Sequence, residues 1–149
     1  MVGCKIKITL DNVRYFGNNI GDDWLLHVIV VGDGAFTHKE GDYNKQLRHL
    51  STTPINDTLI DTTTSDNCRG PNDDGLYRLT FGCVATEIDK KTDDRGDKAE
   101  TLTVECSYDD YLDVNVIVQE KEAGFFGWLL NRHTNARLTF KFHIELECV

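Results

Sequence analysis

Apolar and polar side chains alternate with a period of two through most of this chain. Cys4, Ile6, Ile8 and Leu10 share one face of the first segment, while Lys5, Lys7 and Thr9 share the other. A half-buried β-strand has this pattern because successive side chains project from opposite sides of the pleat. The C-terminal segment repeats it at greater length. There Leu138, Phe140, Phe142, Ile144, Leu146 and Cys148 alternate with Arg137, Thr139, Lys141, His143, Glu145 and Glu147. The stretches Leu102 to Cys106 and Leu112 to Val118 follow the same rule. Trp24 to Val31 is denser, as expected of a central strand covered on both faces. Leu76 to Ile88 reads as a long strand with Leu79, Phe81, Cys83 and Ala85 in phase, and Gly82 within it marks a bulge or a close backbone approach.

The middle of the chain is weaker in pattern. Gln46 to Leu50 and Thr58 to Asp61 each suit a short strand, separated by a connection from Ser51 to Asp57 that contains Pro54. Asn72-Asp73-Asp74-Gly75 suits a tight turn, since Asp-Gly accepts the positive φ that such a turn requires. The count is eight strands at fairly regular spacing, which predicts an all-β antiparallel sandwich of immunoglobulin-like or related layout. No repeat or linker divides the chain, so one domain spanning 1–149 is expected. Only 121–131 suits a short helix. It gathers Phe125, Phe126, Trp128, Leu129 and Leu130 around two glycines. Such a segment either plugs one end of the sandwich or forms an apolar tip. In the second case Phe125, Phe126, Trp128 and Leu129 are the candidate partner-binding residues.

Charge narrows the choice of partner. The formal net charge is −9, from 25 acidic and 16 basic residues among 149. Nucleic acid is disfavoured, because its affinity depends on Lys and Arg neutralising phosphates. Anionic lipid is disfavoured too, unless a bound cation inverts the local field. No apolar run approaches the roughly 20 residues of a membrane-spanning helix. No basic and apolar leader precedes Cys4, and the expected location is the cytoplasm. The five cysteines, at 4, 68, 83, 106 and 148, lack close pairs and any C-x-x-C spacing. Cys4, Cys83, Cys106 and Cys148 fall in phase with apolar neighbours, so they read as small buried hydrophobes in a reducing compartment. Cys68 lies in a polar stretch.

The residue pattern argues against an enzyme. Ser51, Ser65 and Ser107 are the only serines, and none occupies a G-x-S-x-G elbow. The histidines at 27, 38, 49, 133 and 143 lack metal-ligand spacing. Acidic connections are the more informative feature. One runs from Asp11 to Asp23 and another from Asp89 to Asp97. Calcium takes six to eight oxygen ligands, several of them carboxylates, and two loops converging on one point can supply them. With eight strands and antiparallel neighbours, every odd-to-even connection lies at the same end. Both acidic loops, the Ser51 to Asp57 connection and the 121–135 segment would then meet there.

A strand, an aspartate-bearing loop and Gly21-Asp22-Asp23-Trp24 opening a second apolar strand resemble the start of the C2-domain family. Asp89, Asp93, Asp94 and Asp97, between two further strands, resemble its later acidic motif. The resemblance implies an eight-stranded sandwich that binds calcium, and through it a membrane or protein partner, at one end. Carried over, it makes Asp22, Asp23, Asp89, Asp93 and Asp94 the candidate metal ligands. The family's Asp-Pro-Tyr, its D-x-D pair and its polybasic strand are absent. A calcium-independent interaction, inhibitor or assembly module, working through the 125–130 region or a sheet edge, is equally compatible.

Overall fold

The computed structural model describes residues 3–89, 93–120 and 134–149. Eight strands follow in chain order: β1 Cys4–Gly17, β2 Asp23–Gly32, β3 Phe36–Gln46, β4 Ser51–Thr63, β5 Leu76–Glu87, β6 Asp94–Glu105, β7 Tyr108–Glu120 and β8 Thr134–Cys148. They form two four-stranded sheets, ordered β4-β1-β8-β7 and β3-β2-β5-β6, and every pairing is antiparallel. The all-β sandwich expected from the alternation is therefore the observed fold. No helix occurs among the described residues, and none there is long and apolar enough to cross a membrane. The helix expected at 121–131 lies outside the described residues.

The inward rows of the two sheets supply the core. Ile6, Ile8 and Leu10 of β1, Val28 and Val30 of β2, Leu79 and Phe81 of β5, and Phe140 and Phe142 of β8 are fully buried. Across the sandwich the rings of Phe81 and Phe142 approach to 4.9 Å between centroids. Gly96 of β6 lets the two sheets approach each other along one side. A Cβ there would overlap the Ile117 carbonyl oxygen of β7.

Several strand boundaries differ from the sequence expectation. Strand β6 begins at Asp94, so Asp94 to Asp97, expected in an acidic connection, are strand residues paired with β5. Three other differences have a clear physical reason. Strand β1 does not stop at Leu10. The pairing slips between Leu10 and Asn12 against both neighbours, and this bulge moves the inward phase from even to odd numbers, so that Val13 and Tyr15 continue the core row. A strict alternation search loses the strand at that slip. Strand β3 lies over 36–46, and 47–50 form a connection instead of a strand. As a polar edge strand, with Phe36 and Tyr43 its only large apolar residues, β3 carries almost no alternation signal. Strand β4 runs through Pro54, which an edge strand tolerates because one side of its backbone has no partner.

The cysteine reading also needs correction. Cys4 is disulfide-bonded to Cys106 and Cys68 to Cys148, leaving Cys83 as the buried free thiol. These pairs are 102 and 80 residues apart in sequence. Only the antiparallel pairing brings them together, so spacing carries no trace of them. The expectation of a reducing compartment rested on unpaired cysteines and loses that support.

Removing the Phe142 ring opens a cavity between the sheets. Phe142→Ala is expected to lower unfolding free energy by about 3–5 kcal/mol, whereas Ile117→Ala on the exposed face of β7 should change it by less than about 0.5 kcal/mol. Urea denaturation of both variants checks the contrast.

Candidate acidic pole

Strands β1, β3, β5 and β7 end, and β2, β4, β6 and β8 begin, at one end of the sandwich, as the parity of eight antiparallel strands requires. Asp22 and Asp23 from the first connection thus share a pole with Asp89, Asp93 and Asp94 from the third. Contacts tie this end together. Ile88 N–H donates to the Asp23 carbonyl at 2.8 Å, Leu47 N–H to the Asp22 carbonyl at 2.9 Å, and Asn18 N–H to the Asn135 carbonyl at 2.9 Å.

The sequence-nominated acids differ in their surroundings. Asp22, Asp23, Asp89 and Asp93 are exposed on the rim. Asp23 Oδ1 accepts from Gln46 Nε2 at 3.3 Å, and Asp93 Oδ1 accepts the Asp89 N–H at 3.1 Å. Asp94 is buried. Phe125, Phe126, Trp128 and Leu129 lie outside the described residues.

Two acids that sequence reasoning missed complete the pole. Glu87 is only 4% exposed and sits directly opposite Asp94 on one side and Trp24 on the other. Its Oε2 has no hydrogen-bond partner among the described residues. Glu120 ends β7 in the facing sheet. A simple rule links Glu87, Asp94 and Glu120: each occupies the last inward-phase position of its strand at this pole. Tyr77, Leu79, Phe81, Cys83 and Ala85 run directly into Glu87, and Val114, Val116 and Val118 run into Glu120. The phase was visible in the sequence, and following it one step beyond the last apolar residue would have found both.

The first connection is shaped around Glu87. The Tyr15 hydroxyl accepts the N–H of Ile20 at 2.8 Å and of Gly21 at 3.3 Å, and donates to Asn19 Oδ1 at 3.2 Å. Trp24 Nε1–H donates to the Gly21 carbonyl at 3.1 Å. Gly21 is therefore pinned on both sides of its backbone, with φ at +148°. A Cβ at this position would overlap the Glu87 carboxylate, so glycine supplies both the conformation and the space. Burial is the main cause of a Glu87 pKa raised to about 7, with further contributions from Asp89, Asp94, Glu120 and Asp23. Burial also raises the Tyr15 hydroxyl above its ordinary value, with smaller contributions from Asp22 and Glu87.

The remaining candidate features lie elsewhere. Among the described residues, ligand atoms within 4.8 Å of one another occur in Asp109/His143/Glu145 and in Cys68/Cys106/Cys148, both away from the acidic pole. A groove of about 450 Å³ crosses the outer face of the second sheet, lined by Leu25, His27, Asp42, Asn44, Thr86 and Arg95 among others. The His27 imidazole meets Asp42 there at 2.6 Å.

No family model matches the chain, and no curated protein matches it. Among solved structures, a C2 domain of plant extended synaptotagmin 1, its domain A, is similar over 99% of this chain and 96% of that one, with 8% identity and a TM-score of 0.46. A likeness at that level bears on neither ligand nor function.

Glu87 makes stability pH-dependent in a defined direction. Its folded pKa of about 7 exceeds the ordinary 4.5, so between these values the folded state holds a proton that the unfolded chain has lost. Its contribution to stability therefore falls as pH rises from about 4.5 to about 7 and is level above that. Glu87→Gln is expected to remove this slope and to stabilise the protein at pH 8 by on the order of 1–2 kcal/mol. The effect at pH 4.5 should be near zero. Urea titrations at the two pH values check it, and an equal effect at both would assign the titration to another group.

Proposed function

We propose that this protein is a non-enzymatic binding module whose acidic pole takes up a divalent cation, with calcium the best fit to an all-oxygen donor set. Glu87 carries this reading. A carboxylate buried at the end of an apolar row, opposite another acid and with one oxygen unpartnered among the described residues, costs stability unless a proton or a cation neutralises it. On this reading Glu87, Asp94 and Glu120 supply the inner oxygens by closing in from positions not all within 4.8 Å of one another, and Asp22, Asp23, Asp89 and Asp93 supply the rim. Bound cation removes the repulsion within the pole and makes this end less negative. An anionic membrane surface or an acidic protein segment can then approach a protein whose net charge of −9 otherwise repels it. Within the chain, the absence of nucleophile and metal-hydrolase motifs favours binding over catalysis.

A second reading rests on the outer groove. Leu25 is 44% exposed there beside the His27–Asp42 pair, a surface suited to calcium-independent contact with a protein partner. The flanking edge strands β3 and β6 carry many charges, which suits contact by the face better than strand addition at the edge.

Thermal melts at pH 8, where Glu87 is ionised, separate the two. Calcium at about 100 times its Kd is expected to add about 2.7 kcal/mol, a rise in Tm of roughly 5–10 °C for a chain of this size. Glu87→Gln should abolish most of that rise. An unchanged Tm in millimolar calcium would sink the cation reading and leave the groove. Calcium-dependent cosedimentation with phosphatidylserine vesicles then distinguishes a lipid from a protein partner.

A further inference from the structure

The pole opposite the acids gathers four sulfur atoms from four separate segments. Cys4 opens β1, Cys68 lies in the β4–β5 connection, Cys106 follows β6 and Cys148 ends β8. The Sγ atoms of Cys68, Cys106 and Cys148 all lie within 4.8 Å of one another, although Cys106 belongs to one disulfide and the other two to the second. Cys4, bonded to Cys106, is also the direct cross-strand partner of Cys148. Three of the four sulfurs therefore form one cluster, and the fourth, that of Cys4, is joined to it through Cys106.

Contacts that do not involve sulfur hold each segment in place. Cys4 and Cys148 are set by the β1–β8 ladder, reinforced by Val149 N–H to the Gly3 carbonyl at 3.0 Å. Ser107 N–H donates to the Leu146 carbonyl at 2.9 Å and fixes the turn after Cys106. Asp66 organises the connection that carries Cys68. Its carboxylate accepts from Thr64 Oγ1 at 2.6 Å, from Cys68 N–H at 3.1 Å and from the Tyr77 hydroxyl at 2.8 Å. Thr64 N–H in turn donates to the Cys4 carbonyl at 2.9 Å. None of these contacts depends on either sulfur–sulfur bond.

We infer that the reduced protein holds a thiophilic divalent ion, zinc by preference, between Cys4, Cys68, Cys106 and Cys148. Tetrahedral zinc–thiolate bonds of about 2.3 Å place sulfurs roughly 3.8 Å apart; Cys68, Cys106 and Cys148 already lie within 4.8 Å of one another, and Cys4 Sγ joins them by turning away from its bond to Cys106 once that bond is reduced. Four thiolates and no oxygen donor select zinc or a similar soft ion over calcium or magnesium. The chemistry balances with a phosphine as reductant. Each disulfide accepts two electrons, the phosphine leaves as its oxide with the oxygen of one water, and that water's two protons go to the two sulfurs. The metal then displaces protons as the thiols become thiolates. Hydrogen peroxide runs the step in reverse: each pair of thiolates gives two electrons to one peroxide, which takes up two protons and leaves as two waters, the disulfide reforms and the ion is released, so the same four residues offer two alternative cross-links at this pole.

Cobalt(II) is the probe, because its tetrahedral thiolate complexes show intense sulfur-to-metal charge transfer and visible d–d bands. The full chain, reduced with phosphine under anaerobic conditions, is titrated with cobalt while far-UV circular dichroism follows the fold. The expected result is one cobalt per chain with the tetrahedral thiolate spectrum, its displacement by zinc, and no such spectrum in the oxidised protein. Cys68→Ser and Cys106→Ser should each lose the four-sulfur spectrum, whereas Cys83→Ser, at the buried free thiol, should retain it. Carboxylate-bound cobalt at the acidic pole lacks sulfur charge transfer and is not mistaken for this site. A folded reduced chain without the thiolate bands would overturn the inference. So would a spectrum unchanged in Cys68→Ser, or a reduced chain that has lost its β signal and does not regain it with metal.

Discussion

Every feature of this molecule depends on two sheets burying one side of each pleat against the other. Inward positions are apolar because they exclude water, and the resulting core runs from Ile6 and Phe142 in one sheet to Val28 and Phe81 in the other. Burial of apolar area at about 25 cal/mol per Å² is the main force holding the layers together. Antiparallel order then divides the connections between two poles with no freedom left over. One pole receives the acidic connections, and the other receives both ends of the described chain and the four disulfide-bonded cysteines.

The two poles differ in how they handle groups that the core cannot absorb. At the acidic end, three inward rows terminate in carboxylates, Glu87, Asp94 and Glu120, where an apolar residue would have been the stabilising choice. Gly21, held by Tyr15 and Trp24, leaves space for the Glu87 side chain. Keeping a buried acid and building a loop around it costs stability, which the rest of the packed core has to offset. At the other end the inward row of β8 terminates in Cys148, opposite Cys4, and sulfur cross-links replace further packing.

Pleat periodicity was legible in the sequence wherever one face was dry and the other wet, so β2, β5, β7 and β8 could be read directly. The strand count came out right although β3 was misplaced and β1, β4 and β6 were read too short. β3 lies at an edge with little apolar surface to report its phase, and the bulge after Leu10 reversed the phase of β1. The rim aspartates were legible from the density of charge in their loops. Glu87 and Glu120 were missed because an acid in an inward position looks like the end of a strand unless the phase is carried one residue further.

The residues alone thus determined the fold class, the absence of a long apolar span and the gathering of acids in two connections, because each is a local property of composition or period. Tertiary structure decided the rest. Which acids are buried, which cysteines meet across 80 and 102 residues, and which glycine makes room for a carboxylate all depend on pairings between distant strands. Local sequence carries no record of those pairings.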